Sequence, residues 1–488
     1  MSDRPLKICL ASSELAPLAK TGGLADVTAA LSAFLDKQGH DVRVLLPLYS
    51  SMDVSDMALT PVGFLQDKVM ELGRHRIRYS IDTARLPGKS LDIYLLRCPE
   101  LYQRPGIYTS GGDEHLRFMA LSCAAIEMCQ NMGFAPDVFH CHDWHTALIP
   151  FYLKTRYAWD RLFERCRTVL TIHNIGYQGV FNANVVPESG LEDFREKLHQ
   201  DDLALGRVNF LKTGVLYADA LTTVSPTYAK EILEPEYGMG LQELLKQRAG
   251  SLVGILNGVD FEEWNPADDP LIPHAYSARK LAGKKKNKLE LMQELGLDAK
   301  DDTPLVGMVT RLTYQKGIEL VQKVVPSLLQ KRRFALAVLG SGEPRYEQFF
   351  GWLQQRFRDQ VCFYRGFNNR LAHWIEAGSD LFLMPSRFEP CGLNQMYSLR
   401  YGTIPIVRRT GGLADSVQLY EPSSGKGNGI VFDEYSEVAL DWALNAGLDL
   451  YRDRKAWRKL QKNAMAVDYS WERQGLEYLD LFRRLCPD

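Results

Sequence analysis

The chain lacks most of what would set it outside the ordinary globular class. No apolar run in its 488 residues approaches 18 residues, so the sequence predicts no membrane-spanning helix. Its opening, MSDRPLKICLASSE, has no apolar core of signal-peptide length. Cysteine is sparse: there are 9, an odd number, and no two form a Cys-x-x-Cys pair. That argues against a disulfide framework and for reduced thiols in a cytoplasm. Asp-x-Asp does not occur. Nor is there an excess of one charge. The formal net charge of −2 gives no electrostatic case for nucleic acid or an anionic membrane surface as partner. Any positive field must be local, inside a cleft.

With 45% hydrophobic and 24% charged residues the composition is that of a soluble globular protein. The length exceeds what one core supports and predicts two or three domains. Short β-rich runs alternate with helical stretches: 6–11 (LKICLA), 41–47, 138–141, 168–172 and 220–224, then 305–310, 335–340, 361–364, 381–385 and 404–407. Such alternation predicts parallel βαβ sheets, and hence an α/β fold of two doubly wound, Rossmann-like domains. The expected division is 1–250, 251–468 and a terminal amphipathic helix within 469–488. A polar stretch, 265–302, separates the two sets of strands. Its KKKNK run at 284–288 is expected to be a solvated helix face.

Thr-Gly-Gly-Leu-Ala-Asp occurs twice, at 21–26 and 410–415, each time after a cation, Lys20 or Arg409. A cation, paired glycines and a following helix suit an anion held by backbone N–H groups at a helix N-terminus. Two tight strand-to-helix turns that need only glycine's backbone freedom would read the same way. In doubly wound sheets ligands bind beyond the carboxyl ends of strands, so the residues there are the candidates. After the 305–310 strand stand Arg311 and Lys316, beside Gly317; they suit a diphosphate or are a surface pair. After 381–385 comes Ser386-Arg-Phe-Glu389-Pro390-Cys391-Gly392-Leu393. Here Glu389 could accept hydrogen bonds from a polyhydroxylated ligand or satisfy a helix N-terminus. His140-Cys-His142-Asp143-Trp144-His145 invites a metal reading, but no second ligand pair lies nearby in sequence, so no metal site is expected. His173-Asn174 and Asn257-Gly-Val-Asp260 follow strands and could be ordinary turns.

Taken in order, Lys20-Thr-Gly-Gly-Leu-Ala-Asp26, His142-Asp-Trp144, Thr171-Ile-His-Asn174, Asn257-Gly-Val-Asp260, Arg311-Leu-Thr-x-Gln-Lys-Gly317, Pro385-Ser-Arg-Phe-Glu-Pro-Cys-Gly392 and Arg409-Thr-Gly-Gly-Leu-Ala-Asp415 closely resemble the bacterial glycogen synthases and plant starch synthases. These are retaining glucosyltransferases of the GT-B fold, two Rossmann-like domains facing each other across a cleft. The resemblance runs from Leu6 to about Leu485. It implies transfer of glucose from ADP-glucose to the non-reducing 4-hydroxyl of an α-1,4-glucan, elongating glycogen without metal or other cofactor.

By the same resemblance Arg311, Lys316, Glu389 and His173 are catalytic. Arg311 and Lys316 would neutralise the leaving diphosphate, helped by backbone N–H groups at Gly22, Gly23 and after Gly392. Glu389 would hold a sugar hydroxyl, and His173 and Asn257 would contact the glucose. Lys20, Asp26, Asp143, Asn174, Cys391, Gly392, Leu393 and Phe367 complete the expected substrate contacts. Lys20 and Asp26 belong to the opposite lobe, which implies closure before chemistry. No carboxylate stands out as a nucleophile, so same-face displacement is expected.

Three stretches depart from the pattern. The 102–113 loop, on the acceptor side in the family, is shorter. Phe367 stands where many members have a tyrosine near the base, and 201–206 also differs. The first leaves acceptor length open, and the second leaves ADP- against UDP-glucose open. The rival readings are a UDP-glucose or short-maltooligosaccharide transferase, a two-lobed phosphorylase, for which no lysine is marked as a pyridoxal anchor, and a catalytically silent glucan-binding homologue. The oligomeric state is not legible.

Overall fold

A computed structural model describes residues 4–298, 300 and 302–487. The outermost residues of the expected terminal domains, 1–3 and 488, lie outside the described residues, as do 299 and 301 of the polar connecting stretch. The chain forms two compact units, one of residues 1–224, 229–258 and 471–488, the other of 225–228 and 259–470.

In the first unit the strands are β1 (Lys7–Ala11), β2 (Asp41–Pro47), β3 (Thr60–Pro61), β4 (Lys68–Leu72), β5 (His75–Arg85), β6 (Asp92–Arg97), β7 (Val138–His142), β8 (Arg167–Ile172), β9 (Val180–Asn182), β10 (Arg207–Asn209), β11 (Ala220–Thr223) and β12 (Leu252–Gly254). All but β9 and β10, which pair with each other, join one sheet in the order β12-β11-β8-β7-β1-β2-β6-β5-β3, with β4 on β5. From β12 to β6 it is parallel, as the βαβ alternation requires. Beyond β6 it continues as antiparallel hairpin strands. The unit extends past the expected boundary at 250 because β12 adds to the sheet edge, Leu252 registering with Leu221.

The last helix, Trp471–Leu485, also belongs to this unit. It lies on the helix Gly23–Lys37, where a Cβ on Gly475 would stand 2.4 Å from the Phe34 ring. The missing side chain is what lets the two helices approach.

The second unit holds β13 (Leu305–Val309), β14 (Ala335–Gly340), β15 (Val361–Arg365), β16 (Leu381–Met384), β17 (Ile404–Arg408) and β18 (Ile430–Phe432). They form a parallel sheet in the order β15-β14-β13-β16-β17-β18. Both faces are covered, so alternate residues enter different cores. Val306, Met308, Leu336, Val338, Leu381 and Leu383 meet the helices Ile318–Lys331 and Glu437–Arg452. Leu305, Ala337, Leu339 and Phe382 meet Leu291, Leu371 and Trp374.

One expectation is corrected. The helix Ala282–Glu294 carries the KKKNK run, but Lys284, Asn287 and Lys288 are buried. Spacing of three and four residues puts them on one helix face, and that face lies against acceptors from distant parts of the chain. Lys284 Nζ donates to Thr403 Oγ1 at 2.6 Å and Ala377 O at 3.1 Å, and burial pulls its pKa down to about 7. Lys288 pairs with Asp380 at 2.6 Å and donates to the Tyr451 hydroxyl. Lys285 and Lys286 alone are the solvated part. Removing one member of a buried pair strands the other, so Lys288→Ala should lose about 3–5 kcal/mol of stability. Lys285→Ala should stay within about 0.5 kcal/mol. The two urea unfolding midpoints would separate these cases; equal midpoints would contradict the buried pairing.

Candidate active site

Each parallel sheet reverses its winding once. In the first unit β1 lies between β2 and β7, and in the second β13 lies between β14 and β16. At such a point successive connections leave in opposite directions and open a crevice beyond the carboxyl ends. The chain leaving β1 carries Lys20 to Asp26, and the chain leaving β7 carries Asp143. The chain leaving β13 carries Arg311 and Lys316, and that leaving β16 carries Glu389 to Leu393. Topology therefore gathers the candidates named from the sequence at the switch point of their own unit.

The first glycine loop is held from below by a residue that the sequence reading missed. Glu14, buried, accepts hydrogen bonds from the Thr21 amide at 2.7 Å, the Gly22 amide at 3.3 Å and the Thr21 hydroxyl at 2.6 Å. The Tyr108 hydroxyl donates to the same carboxylate at 2.6 Å. The amide of Gly22, expected to serve a phosphate, is thus turned to an internal carboxylate. What remains for an anion is the helix start at Gly23 and the Lys20 ammonium, which pairs with Asp26 at 2.6 Å. Gly22 itself is extended, and a Cβ there would meet nothing within 4 Å.

The second copy of the hexapeptide is built otherwise. Gly411 has φ +43°, and a Cβ there would lie 1.9 Å from Glu389 O. The Gly412 amide donates to Glu389 O and Pro390 O, both at 3.1 Å. Asp415 accepts from the Thr227 amide and hydroxyl at 2.8 and 2.6 Å. This copy is packing that supports the Glu389 turn.

At the end of β7, Asp143 adopts φ +53°, a left-handed conformation that costs a non-glycine residue. The strain aims its carboxylate at the end of β8. There Oδ1 accepts from the His173 amide at 2.7 Å and the Asn174 amide at 3.4 Å. Burial pushes its pKa up to about 7, against the lowering effect of those two hydrogen bonds. His142 Nδ1 and His173 Nε2 are 2.9 Å apart, and His140 Nε2 meets Thr171 Oγ1 at 2.7 Å. Tyr478 and Phe482 of the last helix pack against His140. Burial drives all three imidazoles neutral, with His140 and His173 lowered to about 3 and His142 lowered strongly. Among the described residues no group of three or more His, Cys, Asp or Glu could hold a metal ion. Asn174 Oδ1 accepts from the Gly176 amide. Asn257 is buried, and its Oδ1 has no donor among the described residues. A ligand hydroxyl would satisfy that orphaned acceptor.

Nearby in the same unit is a pocket of about 780 Å³, lined among others by Thr109, Glu114, Trp144, Tyr177, Gln178 and Asn209. Aromatic faces with a few convergent polar groups are the usual walls of a small-molecule site. Glu114 steadies one wall, accepting from the Thr109 hydroxyl at 2.6 Å and the fully buried Arg117 at 2.9 Å. The aromatic content of 102–113 was the only sequence signal of this pocket.

In the second unit Lys316 Nζ lies 2.6 Å from Glu389 Oε2, to which Ser386 Oγ also donates at 3.0 Å. Lys316 precedes Gly317, whose φ of +69° starts the helix Ile318–Lys331; a Cβ there would stand 2.0 Å from Pro385 O. That contact fixes the first cation loop on the second. Arg311 is exposed, and its guanidinium engages no partner among the described residues. Cys391 is buried, Gly392 has φ +71°, and Leu393 caps the helix Asn394–Tyr401. Buried Arg408, not anticipated, donates to the carbonyls of Ser386 and Arg387 and so braces the turn before Glu389. Phe367, following β15, is 76% exposed and stands apart from these groups.

The family description "Starch synthase catalytic domain" matches residues 7–247, and "Glycosyl transferases group 1" matches 292–464. The glycogen synthase of Desulforudis audaxviator is 44% identical over 494 residues, covering 99% of this chain and 97% of that one. The glycogen synthase of Anaeromyxobacter dehalogenans is 44% identical over 489 residues, covering 99% and 100%. Among solved structures, the catalytic domain of starch synthase IV from Arabidopsis thaliana, bound to ADP and acarbose, aligns with TM-score 0.91. It is 34% identical, covering 99% and 100% of the two chains. A sucrose-phosphate synthase from Thermosynechococcus elongatus shares the fold, with TM-score 0.61 at 18% identity.

The raised pKa of Asp143 makes stability depend on pH. Its carboxyl favours the folded state fully below about pH 4 and loses that contribution as pH rises through about 7. Asp143→Asn keeps an acceptor oxygen but cannot ionise. The variant should therefore unfold at a higher temperature than the parent at pH 8, with the difference shrinking towards pH 5. A difference independent of pH would contradict the buried carboxylate.

Proposed function

The chain belongs to the family of bacterial glycogen synthases and plant starch synthases, glucosyltransferases of the GT-B fold, and we propose that it transfers glucose from ADP-glucose to the non-reducing end of an α-1,4-glucan with retention of configuration. The observation that carries this reading is the placement of Lys316 against Glu389 at the mouth of the second sheet. Transfer from a nucleotide sugar builds negative charge on the departing diphosphate and positive charge on the sugar ring. An ammonium has three donors; Glu389 takes one, which leaves two for phosphate oxygens. Arg311 adds a bidentate donor, and the helix Ile318–Lys331 starts beside them. Both partners of Glu389 sit on Oε2, so Oε1 is the oxygen available to a sugar hydroxyl.

In the first unit the Lys20 ammonium and the start of the helix Gly23–Lys37 serve the donor. Asn257 Oδ1 accepts a glucose hydroxyl, and His173 faces the sugar with its place set by Asp143. We assign the pocket walled by Trp144 and Tyr177 to the glucan. Asp143 is occupied with two backbone amides and is not the nucleophile of this scheme; departure of the diphosphate and attack on the same face replace a glycosyl-enzyme. Phe367 is assigned to the adenine. The cations do the neutralising work of a metal, so no cofactor is assigned. The nine free thiols fit a cytoplasmic enzyme.

Incubation with ADP-glucose or UDP-glucose, each with glycogen or short maltooligosaccharides, should release ADP only when a glucan is present and should persist in EDTA. Preference for UDP-glucose would reassign the Phe367 side, and no release from either donor would sink the activity. Lys316→Ala should lose roughly 100- to 1000-fold in kcat with folding intact; near-parental turnover would refute the clamp. Glu389→Ala should fall as far while calorimetry still registers ADP binding.

A further inference from the structure

We propose that His142 is a positioning residue that donates its Nδ1–H to Nε2 of His173, fixing His173 as the tautomer that presents a neutral Nδ1–H to the substrate. The inference rests on the reading above in one respect only, that His173 faces the glucosyl group. Everything else follows from the pair itself.

The two ring nitrogens are 2.9 Å apart, so a single proton lies between them and one ring must be the donor. The far nitrogen of His142, Nε2, is buried and has no hydrogen-bond partner among the described residues. If His173 were the donor, His142 would carry its own proton on Nε2 and bury an N–H with no acceptor. If His142 is the donor, Nε2 keeps only a lone pair. Orphaned buried N–H groups are the rarer and costlier defect, so the second arrangement wins. His140 follows the same rule: its Nε2 meets Thr171 Oγ1 at 2.7 Å, and its buried Nδ1 has no partner. The Thr171 hydroxyl in turn meets that of Thr222 at 2.6 Å.

The aim of the His142 ring is fixed by its backbone. The His142 amide donates to Thr146 Oγ1 at 2.6 Å, and that hydroxyl donates back to His142 O at 3.1 Å. The His173 amide is tied to Asp143. With both main chains held, the hydrogen bond between the rings orients His173 and leaves Nδ1 as its outward nitrogen.

The tautomer matters for charge. Protonating His173 on Nε2 would set two N–H groups head to head, so the pair resists the imidazolium, in the same direction as burial. A cation beside a sugar ring that gains positive charge would oppose the reaction. A neutral donor can orient a hydroxyl without that penalty.

The direct test is nitrogen-15 NMR of the histidine-labelled, unliganded protein, with His173 assigned by its loss in His173→Gln. The expected spectrum shows Nδ1 of His173 protonated and Nε2 bare; the reverse would overturn the proposal. In kinetics, His142→Asn, whose amide can still donate, should stay within about threefold of the parental kcat. His142→Asp, which can only accept, and His142→Val, which can do neither, should each fall roughly 100-fold, the scale of a lost oriented donor. Unfolding temperatures of the three variants separate misfolding from misorientation. Equal loss in Asn and Asp at matched unfolding temperatures would make the role merely structural and refute the inference. If the parental protein moved no glucose, the proposed activity would fail, and the NMR tautomer would still decide this point.

Discussion

The winding of a parallel sheet is the constraint on which the site depends. Strands added on both sides of a first strand force the chain to change direction once, and that is the only place where two neighbouring carboxyl ends diverge. In the first unit this happens between β1 and β7, in the second between β13 and β16. Every backbone group inside the sheet is spent on its neighbours. The loops at the switch are the first chain free to carry side chains for another purpose. The glycines at 317 and 411 then press those loops onto the turn holding Glu389, at distances only a missing Cβ permits.

Carboxylates do the holding. Glu14 gathers the first glycine loop and Tyr108, Asp143 gathers the end of β8, and Glu389 gathers Lys316 and Ser386. Burying such groups without partners is costly, and each is repaid by hydrogen bonds from segments distant in sequence. The same expense explains the strained backbone at Asp143: the left-handed φ is tolerated because two amides converge on the carboxylate. A site held by satisfied buried carboxylates is rigid before substrate arrives, as electrostatic preorganisation requires.

The repeated hexapeptide shows how little a short motif decides alone. Its first copy lies open and keeps a cation and a helix start for a ligand, while its second is buried and braces a turn. The side chains are identical, and the surroundings differ. Asp26 finds Lys20 next to it in sequence, whereas Asp415 finds Thr227, which comes from a distant stretch. The anion reading suits the first copy, apart from the Gly22 amide taken by Glu14; the turn reading suits the second.

The sequence by itself determined the alternation of strands and helices, and with it the parallel sheets, because hydrophobic period and glycine placement are local properties. It also marked Lys316, Glu389, Asp143 and His173, since polar residues just past a strand end stand out against the apolar run before them. It could not reveal that Lys284 and Lys288 are buried, because a charge run looks the same whether Thr403 and Asp380 or water receives it. Nor could it reveal Glu14, Ser386, Arg408 or the partner of His142. Those roles are pairings between residues far apart in the chain, and only the tertiary fold decides which buried donor meets which acceptor.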